Sequence, residues 1–138
     1  MSDTELASSI RLSILKMTRR LRSQQVNTSV TLSQLSALAT VARSGPLSAG
    51  EIAAIEQVQP PSMTKILASL EADGLIDRGA HPEDRRQSII SISDAGRDLL
   101  DNETRARDEW LALRLADLSE ADRDKLAQAT EVLNRLGS

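Results

Sequence analysis

Two short stretches hold most of the side chains that could do chemistry. In "QPPSMTKILASL", Ser62, Thr64 and Lys65 stand between apolar positions at what reads as a helix start, with Gln59 and Pro61 at its threshold. In "PEDRRQ", Asp84 precedes Arg85 and Arg86 between two short apolar runs. Short polar side chains near a helix N-terminus can reach base edges in a major groove, while an ammonium takes a phosphate. The helix start adds backbone N–H groups and a partial positive charge. Arginines at a hairpin tip suit the minor groove, which is narrow and negative over A·T-rich steps. Asp84 would then hold a neighbouring guanidinium in place. Each stretch also has a plain reading. The first can be an ordinary solvated helix face. The second can be a loop whose Arg and Asp pair with each other, worth about 0–1 kcal/mol.

Other chemistries find little support. The chain has no Cys, no Phe, no Tyr, one His and one Trp in 138 residues. Disulfides, thiolate sites and thiol-based redox sensing are excluded, and one histidine falls short of the several His or Cys ligands a transition-metal site usually takes. His81 reads as a solvated loop residue. Glu83-Asp84 and Asp122-Arg123-Asp124 are acidic clusters without a nucleophile, base and orienter, and no Gly-rich phosphate loop is present. The expectation is therefore no enzyme, no metal and no cofactor. No apolar run reaches the roughly 18 residues of a membrane span. "MSDTELASSI" lacks a basic region followed by an apolar one, so no membrane partner and a cytoplasmic location are expected.

Net charge is −3 and the pI near 5.2, which taken alone argues against nucleic acid. The charge is uneven, however. Residues 1–43 carry six Lys and Arg against two acids, and residues 98–138 six against ten. A negative total can hide a basic face.

The elements that must position these residues follow from periodicity and capping. Apolar positions 6, 10, 14, 17 and 21 make a helical stripe between Glu5 and Leu21. Thr31 with Gln34, and Ser48 with Glu51, fit capping boxes, the second opening a short helix to about Ile55. Pro60 and Pro61 suit a helix start and Gly74 its stop. That gives a helix-turn-helix, about 48–55 and 60–73, with Val58 plugging the turn. "LIDR" and "QSIISI" read as strands. Ser93 caps a helix from Asp94 to about Leu115, roughly 33 Å long. Ser119 and Asp122 open a last helix with Leu126, Ala129, Leu133 and Leu136 on one side.

A helix-turn-helix followed at once by a two-stranded unit is a winged helix. At this point "LSAGEIAAIEQVQPPSMTKILASLEADGLIDRGAHPEDRRQSIISISDAGRDLL" resembles the core of the MarR (multiple-antibiotic-resistance regulator) transcription factors. "ADGLIDRGAHPEDRRQSIISISDAG" follows that family's pattern of G-L-[IV]-x-R, D-x-R, a β-run and [ST]-x-x-G. The resemblance implies a mainly α fold with a small β-hairpin wing. A winged helix-turn-helix core at 31–97 would be flanked by long dimerisation helices at 1–25 and 98–138, together one MarR-type domain over 1–138. It implies a homodimer on a pseudo-palindromic operator in double-stranded DNA. By the same resemblance Arg86 is the first choice for the minor groove, Asp84 its brace and Arg85 a phosphate contact. Gln59, Pro61, Ser62, Thr64 and Lys65 match the DNA-contacting turn.

The bottom-up reading agrees about the ends. Apolar stripes on the first and last helices, and at Leu99, Ala106, Trp110 and Leu113, exceed what one short chain can bury, so a two-fold dimer is expected. Many members of the family respond to a small, often aromatic effector. Met17 and Trp110 are the candidate pocket residues, and plain packing is the competing reading for both. The alternative function is a winged helix that binds protein and never DNA.

Overall fold

Five of the six helices begin at a serine or threonine whose hydroxyl accepts a first-turn N–H: Ser2, Thr31, Ser48, Ser93 and Ser119. Each such cap contributes about 1 kcal/mol. The computed structural model describes all 138 residues. In chain order the elements are α1 (Asp3–Arg22), α2 (Leu32–Ser44), β1 (Leu47–Ser48), α3 (Ala49–Glu56), α4 (Pro60–Ala72), β2 (Ile76–Ala80), β3 (Ser88–Ile92), α5 (Asp94–Ala116) and α6 (Glu120–Leu136). The fold is mainly α with a small antiparallel sheet, the winged helix-turn-helix arrangement. Backbone contacts divide it into two units, Gln25–Thr104 and Met1–Gln24 with Arg105–Ser138.

The unit of residues 25–104 holds the core. Leu38 of α2, Ile52 of α3, Met63, Leu67 and Leu70 of α4, and Ile90 of β3 are fully buried. Each buried side chain of this size is worth about 1.5–3 kcal/mol. Burial therefore decides which faces pack, and the weaker caps decide where the helices start. The expected two-stranded hairpin has a third strand. β1 pairs with β3, Leu47 opposite Ile90 and Ser48 opposite Ile89, giving the order β1-β3-β2. On the other side β2 pairs with β3 from Ile76↔Ile92 to Ala80↔Ser88. Gly79 and Ala80, expected in the loop, lie in β2.

Ser93 fastens the wing to the next helix. Its hydroxyl donates to the Gly74 carbonyl (2.6 Å) and accepts the Gly96 N–H (3.0 Å). Gly74 has φ 73°, a conformation glycine adopts without a Cβ penalty. Gly96 is needed for another reason. A Cβ there would overlap the Leu75 carbonyl oxygen. The serine and glycine of the [ST]-x-x-G pattern thus serve a close helix–strand approach.

Glu103 is the least expected member of this unit. It lies fully buried on α5, and its carboxylate accepts the N–H groups of Val26 (3.2 Å) and Asn27 (2.6 Å). The Gln25 amide meanwhile donates to the carbonyls of Asn27 and Val30. The connection between α1 and α2 is therefore hydrogen-bonded along its length.

In the other unit, α1 and α6 contain no buried residue. α1 starts at Asp3, earlier than its stripe suggested, because Ser2 and Glu5 form a capping box. The Ser2 backbone N–H on the Glu5 carboxylate, with its hydroxyl contact, holds that carboxyl below its ordinary range. Leu6, Ile14, Leu15 and Met17 of α1 and Leu126, Val132, Leu133 and Leu136 of α6 are exposed. An open groove of about 520 Å³ runs along Leu6, Ile10, Ile14, Leu15 and Leu136. On α5, Leu113 is exposed, and the Arg114 guanidinium lies 4.7 Å from the Trp110 ring centroid.

Candidate nucleic-acid interface

α3 and α4 are joined by a three-residue turn. Gln57 takes the left-handed conformation (φ 54°), and the Val58 N–H returns to the Ala53 carbonyl at 3.0 Å. Val58 is half-buried against the core, the plug its position suggested. Holding Gln57 there costs about 1–2 kcal/mol relative to a right-handed residue. The tight turn brings α4 across α3.

α4 starts at Pro60, with Gln59 as its N-cap residue and no side-chain capping bond. The doubled proline fixes that start. Neither proline has an N–H, and the helical ladder begins with Met63 donating to Gln59 at 3.0 Å. Ser62 is left as the one first-turn N–H donor outside that ladder. The helix start thus offers an anion fewer backbone donors than an ordinary N-terminus would. Met63, Leu67 and Leu70 face inward, while Gln59, Pro61, Ser62, Thr64 and Lys65 are all exposed. The Thr64 hydroxyl donates to the Pro60 carbonyl (2.9 Å), leaving its lone pairs outward as acceptors.

The wing loop spans residues 81–87. Asp84 Oδ1 accepts the Arg86 backbone N–H at 3.0 Å and stands 3.6 Å from Arg86 Nε. The Arg86 side chain is 95% exposed, so this contact holds its root and leaves the guanidinium in solvent. Arg85 is also exposed. Below the loop, Arg78 Nε donates to Glu71 Oε2 at 2.7 Å, tying β2 to α4. An open groove of about 750 Å³ between the α3 start and the wing is lined by Ser48, Glu51, Arg78, Arg86 and Gln87.

Sequence reasoning undervalued His81. Instead of a solvated loop residue, it is half-buried, and its Nδ1 accepts the N–H groups of Glu83 (3.0 Å) and Asp84 (3.1 Å). Its own N–H donates to the Gln87 carbonyl at 3.2 Å, and the Gln87 N–H to the Asp84 carbonyl at 3.0 Å. A lone histidine in a loop gives no sequence signal for this. Met17 and Trp110 lie in the helical unit, exposed and half-buried respectively, and line neither groove.

The arrangement is one face of a helix-turn-helix carrying small polar side chains and an ammonium, with a braced guanidinium on a hairpin of the same unit. No helix is long and apolar enough to cross a membrane. The sequence model of the MarR family matches residues 30–88. Over 132 residues the chain is 45% identical to the Mycobacterium bovis protein described as an uncharacterized HTH-type transcriptional regulator, covering 96% of this chain and 92% of that one. A solved Pseudomonas aeruginosa structure, described as a candidate transcriptional regulator, is 36% identical with TM-score 0.87 over 99% of this chain and 96% of its own. A variant of Staphylococcus aureus MepR bound to oligodeoxyribonucleotide shares the fold at 23% identity and TM-score 0.70, covering 95% and 97%.

Proposed function

The chain belongs to the MarR family of DNA-binding HTH-type transcriptional regulators, and on that premise we propose that it works as a homodimer gripping one pseudo-palindromic operator. The observation that carries the reading is the pairing of two features on one unit. The exposed first turn of α4 lies opposite a fully buried face, and Arg86 is anchored by Asp84 while its guanidinium stays in solvent. The first turn of α4 enters the major groove, where Gln59, Ser62 and Thr64 meet base edges and Lys65 a phosphate. Pro61, with Pro60, sets where that turn begins. Arg86 enters the minor groove, Asp84 steadies it, and Arg85 takes a phosphate. The oligodeoxyribonucleotide on the MepR variant supports DNA as the ligand.

Dimerisation is supported by the exposed apolar rows of α1 and α6. Contiguous apolar surface of that kind marks an interaction site. Pairing also doubles the cations presented to phosphates on one duplex. We further propose that the protein represses in the cytoplasm by occupying its operator, and that a small aromatic effector shifts its affinity. Trp110 and Met17 are the candidate contacts for that effector, which acts only if it prefers one arrangement of the paired reading helices.

The test is recovery of bound fragments from random genomic DNA, with sedimentation of the free protein alongside. The reading expects a dimer and a two-fold symmetric site with half-sites about one helical turn apart. A monomer at working concentration, or fragments without symmetry, would overturn it.

A further inference from the structure

We propose that His81 is a positioning residue of the wing, its Nδ1 serving as the acceptor that shapes the loop presenting Arg86, so that operator affinity depends on an acceptor at that place. The inference rests on the wing–DNA reading above and deepens it. A continuous set of contacts carries it. His81 Nδ1 accepts the Glu83 and Asp84 N–H groups at 3.0 and 3.1 Å. Asp84, held from its backbone, turns Oδ1 to the Arg86 N–H at 3.0 Å and toward Nε at 3.6 Å. Gln87 closes the loop on both sides, accepting from His81 and donating to the Asp84 carbonyl. The imidazole therefore sets the shape of the loop that aims Arg86.

A side chain without an acceptor at this place leaves the Glu83 and Asp84 N–H groups without their partner. Both hydrogen bonds are lost together, Asp84 is released, and Arg86 loses the geometry of its root.

The experiment uses the full chain without a histidine tag and the duplex recovered in the genomic selection, at fixed ionic strength. His81→Ala is expected to bind about tenfold more weakly than the parent, the scale set by losing two modest hydrogen bonds. His81→Asn keeps an acceptor at the position of Nδ1 and should bind within about twofold of the parent. Because His81 is the only histidine, its ring nitrogens are assignable by NMR, and the Nε2–H tautomer is expected. An Nδ1–H tautomer, a His81→Ala chain that binds like the parent, or a His81→Asn chain as weak as His81→Ala would overturn the inference. Arg86→Ala, measured in parallel, separates the two readings. If it binds as well as the parent, the wing reading and this inference fall together. If it binds weakly while His81→Ala binds like the parent, this inference falls alone.

Discussion

Gln34 Nε2 and Ser69 Oγ, 35 residues apart, meet at 2.7 Å and tie α2 to α4. The same amide accepts the Thr31 N–H through Oε1 at 2.7 Å, so one buried side chain both caps its own helix and holds the next. Gln34→Ala should destabilise the fold by about 2 kcal/mol, one cap plus one buried hydrogen bond. Ser69→Ala should cost about half that. A double-mutant cycle by urea denaturation would show coupling between the two sites.

Gln57 is the residue in the tight turn with a left-handed backbone. Glycine would remove about 1–2 kcal/mol of strain and add about 0.5–1 kcal/mol of unfolded-chain entropy. Strain wins on these magnitudes, and Gln57→Gly should stabilise by about 0.5–1 kcal/mol. The urea midpoint would rise with an unchanged slope.

Gly96→Ala sets a Cβ against the Leu75 carbonyl oxygen and the Ile92 side chain. Backbone cannot yield as a side-chain tip can, so a loss of about 3 kcal/mol is expected. Gly79→Ala is the control. Nothing lies within 4 Å of its would-be Cβ, and its melting temperature should match the parent's or exceed it.

Glu103→Ala leaves the Val26 and Asn27 N–H groups without their carboxylate. Removing a buried charged acceptor should cost about 3 kcal/mol. Hydrogen exchange should accelerate most at those two amides, well before the α4 core opens.

Lys65 and Arg86 should fail differently on DNA. Lys65→Ala should weaken all duplexes alike and make the salt slope shallower by about one. Arg86→Ala should cost about 1–3 kcal/mol and lose most on operators whose wing-facing step is A·T-rich. Binding titrations across salt and sequence would tell them apart. A loss confined to one base pair for Lys65→Ala would make it a base reader.

Much of this architecture was legible because its signals are local. Thr31 with Gln34 and Ser48 with Glu51 declare their helix starts within four residues, and Asp84 with Arg86 declares its pairing within three. What stayed hidden depends on partners far along the chain. β1 has two residues, too few for a period, and exists because Leu47 meets Ile90. Glu103 sits in a polar stretch of α5, and its burial follows from backbone donors 76 and 77 residues earlier. Adjacent prolines at 60 and 61 each suit a helix start, and it is the hydrogen-bond ladder that sets it at Pro60. Exposed rows on α1 and α6 were expected from their period. The role of His81 turns on which ring nitrogen faces which amide, and composition carries no trace of that.

The Leu47–Ile90 and Ser48–Ile89 pairings stitch the second strand of the β-finger to the residue that caps α3. Finger and the α3–α4 pair consequently share one chassis. On the proposed reading, lengthening or recomposing the tip between Ala80 and Ser88 changes what the finger touches while α4 keeps its aim, so descendants of such a chain can drift in one groove's preference without surrendering the other's.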